Sequence, residues 1–173
     1  MKKIVPLRDL LRKIFNSKSA MYNSVRMGEY LAAYAVQNGY FMNQTKLQKL
    51  LYIVYGAYLT QYGESLVDEQ PRVWPYGPVF PRVQQKFAKV NDLAYANIAN
   101  AEYEPIRENG KLQQLIDNVL QTFGDWTAQA LSEWSHKLGS PWEVAFANNN
   151  MRYNAVISAE SIKEYFKTFM NLQ

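Results

Sequence analysis

The sequence predicts a mainly α fold: a compact multi-helix domain around one central core helix, over about residues 45–62. Apolar residues recur roughly every three to four positions in several segments, which is the spacing of one helix face. Four prolines between residues 71 and 81 rule out a long helix there. In that stretch we expect only a short strand and turn, near residues 72–80.

The N-terminal arm, residues 1–23, is predicted to precede the helical domain, which we place at residues 24–173. Residues 1–18 hold six basic residues and one acidic residue, so this segment has a net charge of +5 and the rest of the chain has −1. Its apolar residues are spaced as a short basic amphipathic helix. They are Ile4, Leu7, Leu10, Leu11, Ile14 and Phe15.

An amphipathic arm of this kind either packs on the body of its own chain or contacts a partner. The candidate contact residues are Leu7, Arg8, Leu11, Arg12 and Phe15. The body is nearly neutral, and phosphate binding needs clustered positive charge. Contact with nucleic acid or a membrane surface is therefore expected only through the arm.

Two helices are predicted in the first part of the body. The first covers about residues 25–38 and stops at Gly39. The second is the core helix, where Thr45 and Gln48 have the spacing of a capping box and Gly63 follows the last turn. Its apolar face consists of Leu47, Leu50, Leu51, Val54, Tyr55, Tyr58, Leu59 and Tyr62.

The middle of the chain is expected to be less regular. Arg72–Trp74 predict a short edge strand, and Tyr76–Val79 predict a turn. A short helix follows around Val83 and Phe87. The dipeptide Asn109-Gly110 predicts a hairpin turn.

Four helices are predicted after residue 110. The first covers residues 112–123, and the second covers residues 127–138, with Leu138 on its apolar face. Ser140 is expected to cap the third, since proline and glutamate follow at the first and third helical positions. Ser158 is expected to cap the last.

Residue types exclude several kinds of site. The chain has no cysteine, which excludes disulfides, thiolate catalysis and sulfur-ligated zinc. It has one histidine, His136, and a lone histidine does not make a typical zinc site, so neither a metal nor a cofactor is predicted. We interpret His136 as structural, hydrogen-bonded near Trp142. No apolar run is long enough to span a bilayer, and we expect a cytoplasmic protein.

Two further features each allow two interpretations. Lys46 and Lys49 share a face at the start of the core helix, where they clamp an anion or pack their stems with the heads in water. The Pro/Gly/aromatic turn either fills the core with Trp74 and Tyr76 or presents aromatic side chains to a partner.

Three segments resemble the Panacea domain, a SocA-like antitoxin family that also occurs in phage-associated proteins. Residues 46–52 read K-L-Q-K-L-L-Y, residues 74–79 read W-P-Y-G-P-V, and residues 131–142 contain L-S-E-W-S-H and then S-P-W. Matching motifs in the same order cover roughly residues 25–147. The positions carried over, which we call the signature residues, are either core or partner-binding. They are Lys46, Gln48, Lys49, Tyr52, Trp74, Tyr76, Gly77, Pro78, His136, Pro141 and Trp142.

The resemblance implies an antitoxin that binds and neutralises a protein toxin encoded by the adjacent gene, without catalysis of its own. One alternative that it also implies is a proteolytic adaptor, which delivers a bound protein to a ClpXP-type protease. A third interpretation is a small anion-binding domain or enzyme that uses Lys46, Lys49 and His136.

Overall fold

The computed structural model describes residues 21–90 and 104–170. This part of the chain is mainly helical, with eight helices and a small two-stranded antiparallel sheet, which confirms the predicted fold class. None of its helices is both long enough and apolar enough to cross a membrane. The elements are α1 (Ser24–Gln37), α2 (Gln44–Tyr62), β1 (Arg72–Trp74), β2 (Gly77–Val79), α3 (Pro81–Phe87), α4 (Glu104–Arg107), α5 (Gly110–Phe123), α6 (Ala128–Ser135), α7 (Pro141–Asn148) and α8 (Ala159–Met170).

Helix α2 is the predicted core helix, and other elements cover it on several sides. It contacts α1, α3, α5, α6, α8 and β2. Its buried residues include the expected apolar face, except for the half-buried Tyr62, together with Lys46, Gln48 and Lys49. A helix covered in this way buries polar positions as well as its apolar stripe, so these three side chains need hydrogen-bond partners inside the protein.

The start of α2 differs from the prediction. Asn43 is the N-cap, because its side-chain oxygen accepts a 2.9 Å hydrogen bond from the backbone N–H of Lys46. The predicted capping box of Thr45 and Gln48 is therefore wrong. The other end agrees with the sequence: Gly63 adopts a left-handed conformation, with φ of 73°, and closes the helix.

The predicted strand at Arg72–Trp74 is present as β1, but its backbone is hydrogen-bonded on both sides, so it is not a free edge. On one side β1 pairs antiparallel with β2. On the other, the N–H of Val73 donates to the carbonyl of Ala155 and the N–H of Ile157 donates to that of Pro71, both at 2.9 Å. The edge strand is β2, where Pro78 is tolerated because an edge needs no N–H at that position. We call residues 72–79 the hairpin.

Two further local predictions are wrong. Asn109 and Gly110 form no hairpin turn, because the Asn109 side chain caps α5 by accepting from the N–H of Leu112 at 3.1 Å. Helix α6 ends at Ser135, and Leu138, expected on its apolar face, is 92% exposed.

Both predicted caps in the last third of the chain are confirmed. The hydroxyl of Ser140 accepts from the N–H of Glu143 at 3.2 Å, at the start of α7. The hydroxyl of Ser158 accepts from the N–H of Ser161 at 3.1 Å, at the start of α8. These caps fix the entry of both helices, of which α8 packs on α2 and α7 packs on β1.

Candidate partner-binding surface

The outer edge of β2 is satisfied by side chains of α2 instead of by another strand. The Gln48 amide bonds both backbone groups of Phe80, since its Oε1 accepts from the N–H at 2.8 Å and its Nε2 donates to the carbonyl at 3.4 Å. Lys49 Nζ donates to the carbonyl of Pro78 at 2.7 Å. The helix thus replaces the missing neighbouring strand and fixes the hairpin to the core.

Lys49 is buried over its whole length, with 1% of its surface exposed. Burial lowers the pKa of its ammonium group from 10.5 to about 7, because a charge in this position is poorly solvated. Both the charged and the neutral amine carry N–H groups, so the hydrogen bond to Pro78 is available in either form.

Helix α6 also holds the tip of the hairpin. The hydroxyl of Ser132 donates to the carbonyl of Tyr76 at 2.8 Å. The ring of His136 lies between two carbonyl oxygens, with Nε2 3.1 Å from that of Pro75 and Nδ1 2.6 Å from that of Ser132. A neutral imidazole donates to only one of them at a time. Ser132 thus binds one carbonyl of the tip, and His136, directly after the last residue of α6, contacts the carbonyl before it.

Gly77 is required at the position where these contacts meet. Its φ of 105° is a conformation that residues with a side chain rarely adopt. A Cβ atom there would lie 2.4 Å from Oγ of Ser135 and 2.7 Å from Cε of Lys49. The close approach of α2, α6 and the hairpin therefore depends on a glycine.

Helix α7 supplies the third support. The indole N–H of Trp142 donates to the carbonyl of Trp74 at 2.9 Å, and its ring meets the His136 ring edge-on at a centroid distance of 4.2 Å. Pro141 is buried at the first position of the helix. The interpretation of His136 as a residue hydrogen-bonded near Trp142 agrees with this arrangement.

Tyr76 is the signature residue that the hairpin leaves most open to solvent, at 72% exposure. Trp74 and His136 are half-buried, and the remaining signature residues are buried. A small cleft of about 70 Å³ lies beside Tyr76, between the hairpin, α2 and α3. Of the two interpretations of the sequence, the exposure of Tyr76 fits the one in which the turn presents an aromatic side chain outward.

Lys46 and Tyr52 lie apart from the hairpin contacts. Lys46 Nζ donates to the carbonyl of Gly124 and ties α2 to the end of α5. Burial lowers the pKa of Lys46, and the nearby Asp125 partly opposes this shift. The Tyr52 ring packs edge-on against Phe166, and its buried hydroxyl has no hydrogen-bond partner within residues 21–90 and 104–170.

The anion-site interpretation is therefore not supported by the positions of its three residues. The ammonium groups of Lys46 and Lys49 are bonded to backbone carbonyls in different places, and His136 is bonded to the hairpin. Their heads do not lie in water either, which was the alternative expected for the two lysines. Among the described residues, no group of three or more His, Asp or Glu side chains is arranged to hold a metal ion.

Ser132 and Ser135 are the supporting residues that sequence reasoning did not single out. They stand three residues apart on α6, so both face the hairpin together with His136. Their three-residue spacing within L-S-E-W-S-H could have indicated that both serines lie on the same helix face as each other. The arm residues Leu7, Arg8, Leu11, Arg12 and Phe15 lie outside the described residues.

Comparison with known proteins gives the family. Residues 47–143 match the model of the family described as "Antitoxin SocA-like, Panacea domain". The chain belongs to this antitoxin family. It is similar to a protein named "Antitoxin SocA" from Caulobacter vibrioides (strain NA1000 / CB15N), at 32% identity over 133 residues, or 70% of each chain. No solved structure matches it. The Panacea match contains the hairpin and most of its supports on α2, α6 and α7.

Proposed function

We propose that this Panacea protein neutralises a protein toxin by binding it directly, and that the surface around Tyr76 contacts the toxin. The supporting observation is that some signature residues are buried and support the hairpin, whereas one is exposed. Gln48, Lys49 and Gly77 are buried and hold the hairpin, while Tyr76 stays 72% exposed at its tip. An antitoxin family and a rigid aromatic projection together favour protein binding.

The physical basis is the low entropy cost of binding through a fixed projection. Tyrosine is among the residues that most often dominate binding energy at protein interfaces. Because α2, α6 and α7 already hold the backbone of the hairpin, little conformational freedom remains to be lost when a partner covers it. The arm, with Arg8 and Arg12, is a second proposed contact.

The proposed partner is a toxin encoded by the adjacent gene, and we propose that the two proteins meet in the cytoplasm. The proposed mode of neutralisation is stoichiometric binding. Direct binding needs no turnover by the antitoxin. Neutralisation should therefore be complete when one antitoxin is present for each toxin binding site, and it should be incomplete below that ratio. A catalytic antitoxin would inactivate many toxin molecules.

The experiment begins with a growth assay of the adjacent gene expressed with and without this protein. Growth should stop in the first case and resume in the second. Purified toxin is then titrated with purified antitoxin in the absence of any protease, and its activity should fall linearly to zero at a fixed stoichiometry. Inhibition that requires a ClpXP-type protease would establish the adaptor alternative, and a neighbour that is harmless or stays toxic would refute the proposal.

A further inference from the structure

The cleft of about 70 Å³ beside Tyr76 is lined by a buried basic side chain without a counter-ion. Lys49 lies in its wall, with 1% of its surface exposed. Within the described residues its Nζ makes one hydrogen bond, to the carbonyl of Pro78, whereas an ammonium group carries three N–H groups. Burial alone lowers its pKa, and no described carboxylate opposes this shift. Because an uncompensated buried charge is costly, the cleft favours an occupant that supplies a negative charge.

The start of α2 adds a second positive contribution to the same cleft. Gln44 and Thr45, the first two residues of this 19-residue helix, line the cleft. The N-terminal end of a helix carries a partial positive charge and backbone N–H groups that have no partner within the helix. The first turn of α2 contains no acidic residue. An anion in the cleft therefore gains from both the buried ammonium group and the end of the helix.

The other walls of the cleft are uncharged and limit the size of the occupant. They include the amides of Gln48 and Gln84 and the ring of Trp74, and no acidic residue of the described chain lines the cleft. Its volume is about that of two water molecules in the liquid, which is room for one carboxylate group at the end of a side chain. The cleft differs from the three-residue anion site considered from the sequence, since neither Lys46 nor His136 lines it.

We propose that the cleft receives the carboxylate of an Asp or Glu side chain of the toxin, which pairs with Lys49 when the toxin covers Tyr76. This inference rests on the proposed function and names the chemical group of the partner at that surface. The carboxylate supplies the counter-ion that the buried ammonium lacks, and the covering surfaces shield the pair from water. The toxin therefore presents an acidic side chain next to the residues that contact Tyr76.

Proton uptake on binding is the measurable consequence. The pKa of Lys49 is about 7 in the free protein, so most of its amine is neutral at pH 8. A nearby carboxylate favours the charged form and raises that pKa. The complex should therefore take up close to one proton at pH 8, and Kd should rise nearly tenfold from pH 7.5 to pH 8.5. Tyr76 and His136 are the other titratable groups of the described hairpin contacts, and the variants below separate them from Lys49.

The test is a calorimetric titration of the full chain with purified toxin at pH 8. Two buffers that differ in their enthalpy of ionisation give the number of protons taken up per complex. Lys49→Met should abolish the uptake, whereas Lys89→Met, at an exposed position outside the cleft, should leave it unchanged. Binding without uptake in the unaltered protein, or uptake that persists in Lys49→Met, would overturn the carboxylate site and leave the proposed function standing.

A second variant leaves the hydrogen bonds of the hairpin in place, because Lys49→Met also removes the donor to Pro78. Gln84→Glu puts a carboxylate of the chain itself into the cleft. Lys49 then has an internal counter-ion and the toxin meets a like charge, so the uptake should vanish and Kd should rise at least tenfold. Gln85→Glu makes the same change in charge at an exposed position of α3 outside the cleft, and it should leave Kd within twofold. Equal effects of the two changes would overturn the proposal.

The toxin provides the last part of the test. Each of its surface Asp and Glu residues is changed singly to Asn or Gln, and one of these changes should remove the proton uptake and raise Kd at least tenfold. If none does, or if only removal of the C-terminal carboxylate of the toxin does, the proposed side chain is wrong and the proposal is overturned. Absence of any toxin binding by the unaltered protein would refute the proposed function, and the carboxylate site with it.

Discussion

The hairpin differs in what holds it in place from the apolar groove of about 290 Å³ between α2, α5, α6 and α8, which we call the groove. The hairpin is fixed by hydrogen bonds from buried polar side chains, such as Gln48, Lys49 and Ser132, to backbone groups. The groove is walled by apolar and aromatic side chains, such as Val119, Trp134 and Phe166, that pack by contact. Directional bonds fix the hairpin in one shape, whereas apolar packing leaves a surface that accepts several shapes of similar volume.

The largest expected effect is that of Gly77→Ala in the hairpin. The new Cβ would clash with Ser135 and Lys49 and would impose a strained φ, so we expect a loss of about 3 kcal/mol or more in the free energy of unfolding. Gly39→Ala is the matched control, because its φ of 85° gives similar strain in open space. It should cost about 1 kcal/mol. Equal losses in urea denaturation would show that the contacts around Gly77 contribute nothing.

A smaller effect is expected for Gln48→Ala. The change leaves the buried N–H and carbonyl of Phe80 without partners, which should cost about 2 kcal/mol of unfolding free energy. Gln44→Ala removes a single 3.1 Å bond to the carbonyl of Gln84 in a half-buried position and should cost less than about 1 kcal/mol. Thermal and urea denaturation of the two variants measure the difference, and the hairpin account fails if the order is reversed.

On the groove side, Gly56→Ala tests apolar packing. A Cβ there would lie 2.5 Å from the ring of Phe166, which must move, and we expect a net loss of about 1–2 kcal/mol after the gain in helix propensity. Gly110→Ala has no atom within 4 Å of the new Cβ and should cost nothing. Calorimetric unfolding of both proteins provides the measurement. If Gly56→Ala leaves the free energy of unfolding unchanged, the ring of Phe166 moves aside without cost.

The effect that develops most gradually is a dependence of stability on pH. The pKa of Lys49 is lowered in the folded protein to about 7, below its ordinary value of 10.5. The unfolded chain therefore binds more protons between these values, so the free energy of unfolding should rise with pH from about pH 7, by roughly 1 kcal/mol per unit. The pKa of Tyr34 is raised to about 12 by its hydrogen bond to Asp117, and this opposing contribution begins only above about pH 10.

Lys49→Met should remove most of this slope between pH 7 and pH 9.5. Lys46, whose pKa is also lowered by burial, accounts for the remainder. Lys89→Met, at an exposed position, is the control and should leave the slope unchanged. Urea unfolding at five pH values gives the slopes, and an unaltered slope in Lys49→Met would contradict the buried position of its ammonium group.

Sequence patterns predicted the elements that local spacing determines. The stripe from Leu47 to Tyr62 gave α2, and Ser140 and Ser158 gave two helix starts, because a helix face and a cap are formed by residues close in sequence. The hairpin supports were not predictable in this way. Gln48 and Phe80 are 32 residues apart, and the glutamine that looked like part of a cap bonds a strand edge instead.

The wrong local predictions also arose because contacts between residues far apart in sequence decide these structures. The Asn109-Gly110 dipeptide suits a hairpin turn and also suits a helix start, and the helix that follows decides between them. Leu138 was assigned to an apolar face because the spacing continued, whereas the contacts of His136 with the hairpin lie where α6 ends. The resemblance correctly indicated the antitoxin family, but it did not indicate which signature residues are buried.

The most direct test of the central claim is the affinity of the purified toxin for two surface variants, measured by calorimetric titration. Tyr76→Ala and Phe41→Ala each remove one exposed aromatic side chain, at 72% and 62% exposure, and both should melt at the temperature of the unaltered protein. Tyr76→Ala should raise Kd about tenfold, as expected for an interface residue that contributes more than about 1 kcal/mol. Phe41→Ala should leave Kd within twofold of its original value. An unchanged Kd in Tyr76→Ala would contradict the claim that the hairpin binds the toxin.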